Sequence, residues 1–147
     1  MGNVDTPQVI VRRLGPADLN TVVSCASLLP ESPTVEWAED FFARGASHLY
    51  VAFAGNSPVG LLAATELPSL GASPDLYIYL ISVDPAHRGH GVGSRLVERA
   101  VEAAEETGFA HVRMAVLPPI DPNSSATAAA TRPWRIDERH SLVITLE

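Results

Sequence analysis

Just past the middle of the chain stands Asp84-Pro85-Ala86-His87-Arg88-Gly89-His90-Gly91-Val92-Gly93-Ser94, with glycines at three alternate positions. Glycine lacks the Cβ that holds a ligand away from the backbone, and it adopts left-handed torsions at little cost. Set between a strand and a helix, such a loop presents the unpaired N–H groups and partial positive charge of a helix N-terminus to an anion. Arg88 adds a guanidinium suited to phosphate. The chemistry on offer is the grip of a pyrophosphate without a metal, by Arg88, Gly89, His90, Gly91, Val92, Gly93 and Ser94. A strand-to-helix turn serving chain geometry alone needs only one glycine.

Two other phosphate-binding loops fit poorly. All ten basic side chains are arginine, so a Walker A lysine and a lysine Schiff base are both excluded. The dinucleotide fingerprint needs Gly-x-Gly-x-x-Gly, whereas Gly89, Gly91 and Gly93 give Gly-x-Gly-x-Gly. The next apolar run ends in Val116, Leu117 and Pro118, where that fold wants an acid for the ribose.

The elements that must position the loop follow from periodicity. Leu76 to Val83 is nearly all apolar or aromatic and predicts a central strand covered on both faces. From Val92 to Thr107 apolar residues recur at helical spacing, and Gly108 stops the helix. Phe109 to Leu117 predicts a parallel strand, reached by a right-handed crossover. Upstream, Val9 to Arg13 predicts a strand, a helix starts near Asp18 or Pro16 and runs to about Leu29, and Thr34 to Arg44 predicts a second helix capped by Thr34. His48 to Ala54 and Val59 to Leu67 predict a hairpin turning at Gly55-Asn56-Ser57-Pro58, followed by a polar loop from Pro68 to Pro74. A short helix over Asn123 to Thr131 and a last strand over Ser141 to Glu147 complete the reading. No linker divides the chain, so residues 1–147 are expected to form one domain.

Composition narrows the function classes. A net charge of −7 and a pI near 5.1 argue against nucleic acid as a partner, and an acidic field favours a cationic substrate. Cys25 is the sole cysteine and falls on an apolar helical stripe, which predicts a small core residue. His48, His111 and His140 are scattered, with no His-x-x-x-His pair and no acidic neighbour at ligand spacing, so no metal is expected. No signal peptide or membrane-length run is read, which makes the cytoplasm the expected compartment.

The segment Arg88-x-x-Gly91-x-Gly93, set between LISVDPAHRG and VGSRLVERAVEAAEETGFAHVRMAV, resembles the acyl-CoA signature of the GNAT superfamily of N-acetyltransferases. The order of elements from Val9 through Val116 is similar to that fold. The resemblance implies an α/β (α+β) architecture: a central mixed, twisted sheet of six to seven strands flanked by about four helices. ELPSLGASPDLYIYLISVDPAHRGHGVG is further similar to the aminoglycoside 3-N-acetyltransferase branch, except that Leu80 stands where that branch carries an aspartate.

What the resemblance implies for the site is specific. Acetyl-CoA is the expected co-substrate. Its pantetheine arm is expected along Ile81, Ser82 and Val83, which splay from the neighbouring strand, with Asn123 as a further contact. A primary amine is expected to attack the thioester directly, its oxyanion held by a backbone N–H near Ile81 to Val83. The candidate base is Glu66, then Asp75, with Tyr77 or Tyr79 as a proton relay. Asn123-Ser124-Ser125-Ala126 matches a family motif, but Ala129 and Ala130 occupy the neighbourhood of the usual acidic tyrosine. Trp37, Phe41 and Phe42 are expected in the core or the wall of the acceptor pocket, with Glu36, Glu39 and Asp40 facing the amine. The resemblance also implies pairing into a homodimer through the C-terminal strands. Two alternatives stay open: a non-catalytic acyl-CoA-binding module that lost its acid, and an acetyltransferase acting on protein N-termini.

Overall fold

The computed structural model describes residues 8–115, 135–136 and 141–146. Seven strands, β1 (Val9–Leu14), β2 (Ser47–Ala54), β3 (Ser57–Ser69), β4 (Ala72–Val83), β5 (His111–Ala115), β6 (Arg135–Ile136) and β7 (Ser141–Thr145), form one sheet in the order β1-β2-β3-β4-β5-β7-β6. Among the described strands only β4 and β5 pair in parallel, as the crossover through a helix requires. The mixed sheet and its flanking helices match the expected architecture.

The faces of the sheet carry separate cores. Helix α3 (Val92–Thr107) buries Val92, Leu96, Val97, Ala100, Val101 and Ala104 on one face, against Tyr50, Leu62, Ala64, Leu76 and Ile78. Helices α1 (Leu19–Val23) and α2 (Val35–Ala43) cover the other, where Val22, Cys25, Ala38 and Phe41 meet Leu49, Val51, Leu61 and Ala63. Strand alternation sends each neighbouring pair of residues to opposite cores. Cys25 is buried, as a small core residue should be.

Several local expectations are corrected. The helix read from near Asp18 or Pro16 to about Leu29 is broken: α1 holds five residues, with 3₁₀ turns at Pro16–Asp18 and Ala26–Leu28 on either side. The loop read from Pro68 to Pro74 is ladder instead, since β3 and β4 continue to Ser69↔Ala72 around Leu70 and a left-handed Gly71 (φ 76°). Polar side chains there reflect solvent on both faces of a projecting hairpin, not a loss of pairing. Strand β4 is fully covered on one face only, for Leu76 and Ile78 are buried while Tyr79 is 49% exposed. The expected helix over Asn123 to Thr131 lies outside the described residues. Thr34 does cap α2, its hydroxyl accepting from the Trp37 N–H at 3.1 Å.

Candidate functional site

The glycine loop folds as its sequence suggests. Gly89 (φ 82°) and Gly91 (φ 79°) take left-handed torsions, and a Cβ at either would meet no atom within 4 Å. The glycines are needed for conformation, and the space above them is open. Gly91 is the N-cap of α3 and brings no side chain to cap the first turn. That turn therefore opens as an anion site with its dipole, over a 16-residue helix.

What holds the loop in place is a glycine that the sequence reading passed over. A Cβ on Gly60 of β3 would lie 2.7 Å from Val92 Cγ1 and 3.1 Å from Leu96 Cδ1. Its absence lets the first turn of α3 seat directly on the sheet. The available signal was a lone glycine inside a strand pattern, which often marks a close approach.

Strand β4 leads into the loop with a free edge. Its parallel pairing to β5 covers Leu76, Tyr77 and Ile78; among the described residues, Leu80 to Val83 pair only with β3. The Asp84 N–H donates to the Val59 carbonyl at 2.8 Å, so the trans peptide turns the Val83 carbonyl to the open side. There Arg88 Nε–H donates to it at 3.2 Å. Alternation puts the Val83 N–H, and the Ile81 N–H and carbonyl, on that same edge. His87 Nδ1 lies 2.9 Å from Asp84 Oδ2 and ties the turn together.

These groups line a cleft of about 600 Å³, bounded by Ile81, Ser82 and Val83, by His87, Arg88 and Gly89, and by Gly91 to Ser94. Every expected cofactor contact in the described chain is among them except His90, which is exposed and does not line it. Asn123 lies outside the described residues. A row of glycine torsions, an uncapped helix and an unpaired strand edge together fit a pyrophosphate joined to an extended, amide-containing arm.

A second cleft, of about 340 Å³, lies on the α2 face. Leu29 and Pro30 form its rim, α2 contributes Trp37 and Phe41, β3 contributes Leu61 and Ala63, and β4 contributes Tyr79 and Leu80. A bulge creates this wall. Ala63 pairs with Leu80 and Ala64 with Ile78, leaving Tyr79 as the extra residue. Without it, Leu80 would join Leu76 and Ile78 beneath α3; with it, Leu80 turns into the α2-side core. Leu80 lines this cleft and the next residue of the strand, Ile81, lines the first. No residue type announced the bulge.

The candidate acid–base residues are not brought together. Tyr79 stands in the apolar cleft, and burial raises its hydroxyl pKa above the ordinary value. Glu66 lies on the α3 face instead, its Oε2 3.1 Å from Nε2 of a buried His48 that packs on Phe109. Asp75 is held by His111 Nδ1 at 2.9 Å and by Arg113 Nε at 2.8 Å. Desolvation pushes its pKa up, but the hydrogen bonds and charges of Arg113 and His111 outweigh that and the net shift is down. His48 and His111, read as scattered residues without acidic neighbours, thus each meet a carboxylate across strands. Glu36, Glu39 and Asp40 do not line the apolar cleft: they are exposed on α2, whose helical period buries Ala38 and Phe41 instead. Among the described residues no helix is long and apolar enough to cross a membrane.

The family model for the acetyltransferase (GNAT) family matches residues 19–130. Among solved structures, aminoglycoside acetyltransferase meta-AAC0020 from an uncultured soil metagenomic sample, in complex with trehalose, is similar with a TM-score of 0.70 and 22% identity, over 78% of this chain and 81% of that one. Ribosomal-protein-alanine N-acetyltransferase from Brucella melitensis biovar Abortus 2308 gives 0.66 at 21% identity, over 87% and 96%. NAA60 from Arabidopsis thaliana, in complex with a bisubstrate analogue, gives 0.70 at 14% identity, over 95% and 98%. At such identities these relatives speak for the fold. No curated protein sequence matches the chain. The matched segment runs from α1 through the glycine loop and beyond β5, and the chain belongs to the acetyltransferase (GNAT) family.

Proposed function

We propose that the protein is an acetyl-CoA-dependent N-acetyltransferase that acetylates a primary amine of a small molecule, with both substrates bound at once. The observation that carries this reading is that consecutive residues of β4, Leu80 and Ile81, line the two clefts. Acetyl-CoA supplies the activated thioester when bound. The first turn of α3 and the loop at Arg88 to Ser94 hold its pyrophosphate, and the free edge at Ile81 and Val83 holds the arm as it would hold an added strand. Orientation does much of the work, because seating amine and thioester in the two clefts removes the entropy of their encounter.

Tyr79, protonated at neutral pH because a phenol ordinarily titrates at ~10 and burial moves it further up, is assigned as the donor to the departing sulfur, and the proton that the attacking nitrogen sheds restores the phenol through solvent. Asp75, with its lowered pKa and its two basic partners, is a weak base. Glu66 is committed to His48 on the opposite face of the sheet. We therefore assign the loss of the amine's proton to solvent, before attack, so that turnover follows the fraction of free amine as pH rises.

Thiol release from acetyl-CoA in the presence of a primary amine, with mass analysis of the acetylated product, tests the reading. Tyr79→Phe is expected to lower kcat by roughly 100-fold at unchanged acetyl-CoA affinity. Glu66→Gln is expected to leave the pH–rate profile unaltered; a lost limb would return the base role to Glu66. Bound acetyl-CoA with no thiol release for any amine would overturn transfer in favour of a non-catalytic acyl-CoA-binding module.

A further inference from the structure

We infer that the acceptor carries its primary amine on an apolar body about the size of one ring system, not on a polycationic sugar. The inference rests on the transfer reading above and deepens it. The cleft on the α2 face is walled by Leu29, Trp37, Phe41, Leu61, Leu80 and Tyr79, and among the described residues that line it there is no carboxylate. At about 340 Å³ it lies near the lower end of the range of roughly 300–1,000 Å³ usual for small-molecule sites.

A polycation is recognised by carboxylates placed to pair with its ammonium groups, because a charge taken out of water needs a partner. The acids of α2 that might have served, Glu36, Glu39 and Asp40, face solvent. Asp75, on the same sheet face as Tyr79 by strand alternation, is already held by His111 and Arg113. At position 80 the bulge turns a leucine into the cleft, so the strand that presents the thioester site offers hydrocarbon to the acceptor. What the cleft can reward is removal of an apolar surface from water, together with aromatic contact from Trp37 and Phe41, whose rings stack at 5.2 Å. One ammonium, or its free-amine form, then needs to reach only the mouth at Tyr79.

The test uses 2-phenylethylamine as the probe, with kanamycin as the polycationic counter-probe. Trp134→Phe leaves Trp37 as the sole tryptophan, and its emission reports on this cleft without any turnover. Expected are a saturable change in Trp37 emission with 2-phenylethylamine and a kcat/KM at least about 10-fold above that for kanamycin. Ala63→Leu, which fills the cleft, is expected to lower kcat/KM for 2-phenylethylamine by about 10–100-fold at unchanged acetyl-CoA affinity. Trp37→Ala, at a position 43% exposed where folding is not at stake, should lower it in the same direction. Thiol release with kanamycin but not 2-phenylethylamine would overturn the inference and leave the transfer reading standing. A peptide with an apolar N-terminal residue outperforming 2-phenylethylamine would overturn the small-molecule class. Failure to bind acetyl-CoA, read separately by calorimetry, would overturn both.

Discussion

Of the two clefts that β4 lines, the one from Ile81 to Ser94 is built of backbone, and the one from Leu29 to Leu80 is built of side chains. The first binds by torsion and by unpaired N–H groups, so its identity resides in glycines and in a strand edge. The second binds by shape and by apolar area, so its identity resides in which side chains a bulge and a helix happen to aim inward. The difference teaches that one half of the site tolerates almost no change in a short run, whereas the other can be re-specified one residue at a time. Within the backbone-built half there is a further contrast. Gly89 and Gly91 need their left-handed torsions and have open space above them, while Gly60 needs no special torsion and has no space at all.

That contrast can be broken most severely at Gly60. Gly60→Val places atoms inside Val92 and Leu96, and is expected to cost about 3 kcal/mol of stability by overpacking, and to weaken acetyl-CoA binding as the first turn of α3 is displaced. Denaturant unfolding and calorimetry on the same sample check both effects. Gly91→Val should act more narrowly, weakening acetyl-CoA binding by about 10–100-fold, or about 1.4–2.7 kcal/mol, while the Trp37 response of the apolar cleft persists.

Two polar contacts serve as controls, because they should move stability and leave both clefts alone. Asp75→Asn removes a largely buried carboxylate from Arg113 and His111, with an expected loss of about 1–2 kcal/mol at pH 7. The native pKa of Asp75 is depressed, so its stabilisation is present above the ordinary carboxylate value near ~4 and is lost as pH falls through the native one. The gap between variant and wild type should therefore close in acid. The smallest effect belongs to His48. Burial lowers its pKa despite the opposing bond to Glu66, and the nearby Arg13 charge adds to the lowering. The unfolded chain then takes up the proton first, so stability should decline as pH drops below about 6.5. His48→Gln should flatten that slope in thermal unfolding.

The backbone-built half was legible because its determinants are contiguous. Arg88, Gly91 and Gly93 sit within six residues of one another, flanked by a strand and a helix whose periods are strong. The apolar half was only partly legible. Trp37 and Phe41 were expected in the core or the pocket wall, but the opposite wall depends on the bulge at Tyr79, where neither glycine nor proline marks the extra residue. The pairings Glu66–His48 and Asp75–His111 join residues far apart in sequence through strand register alone, which a single sequence does not contain. The hairpin from Pro68 to Pro74 was misread for a different reason: polarity marks exposure, and an exposed ladder is as polar as a loop.

The most direct measurement is a calorimetric titration of acetyl-CoA into the wild-type protein and into Gly91→Val, both confirmed as folded by circular dichroism. The account predicts saturable binding in the micromolar range, of order −8 kcal/mol, for the wild type, and at least a tenfold loss in the variant. Equal affinity in the two proteins, or no heat from a folded wild type, would contradict it.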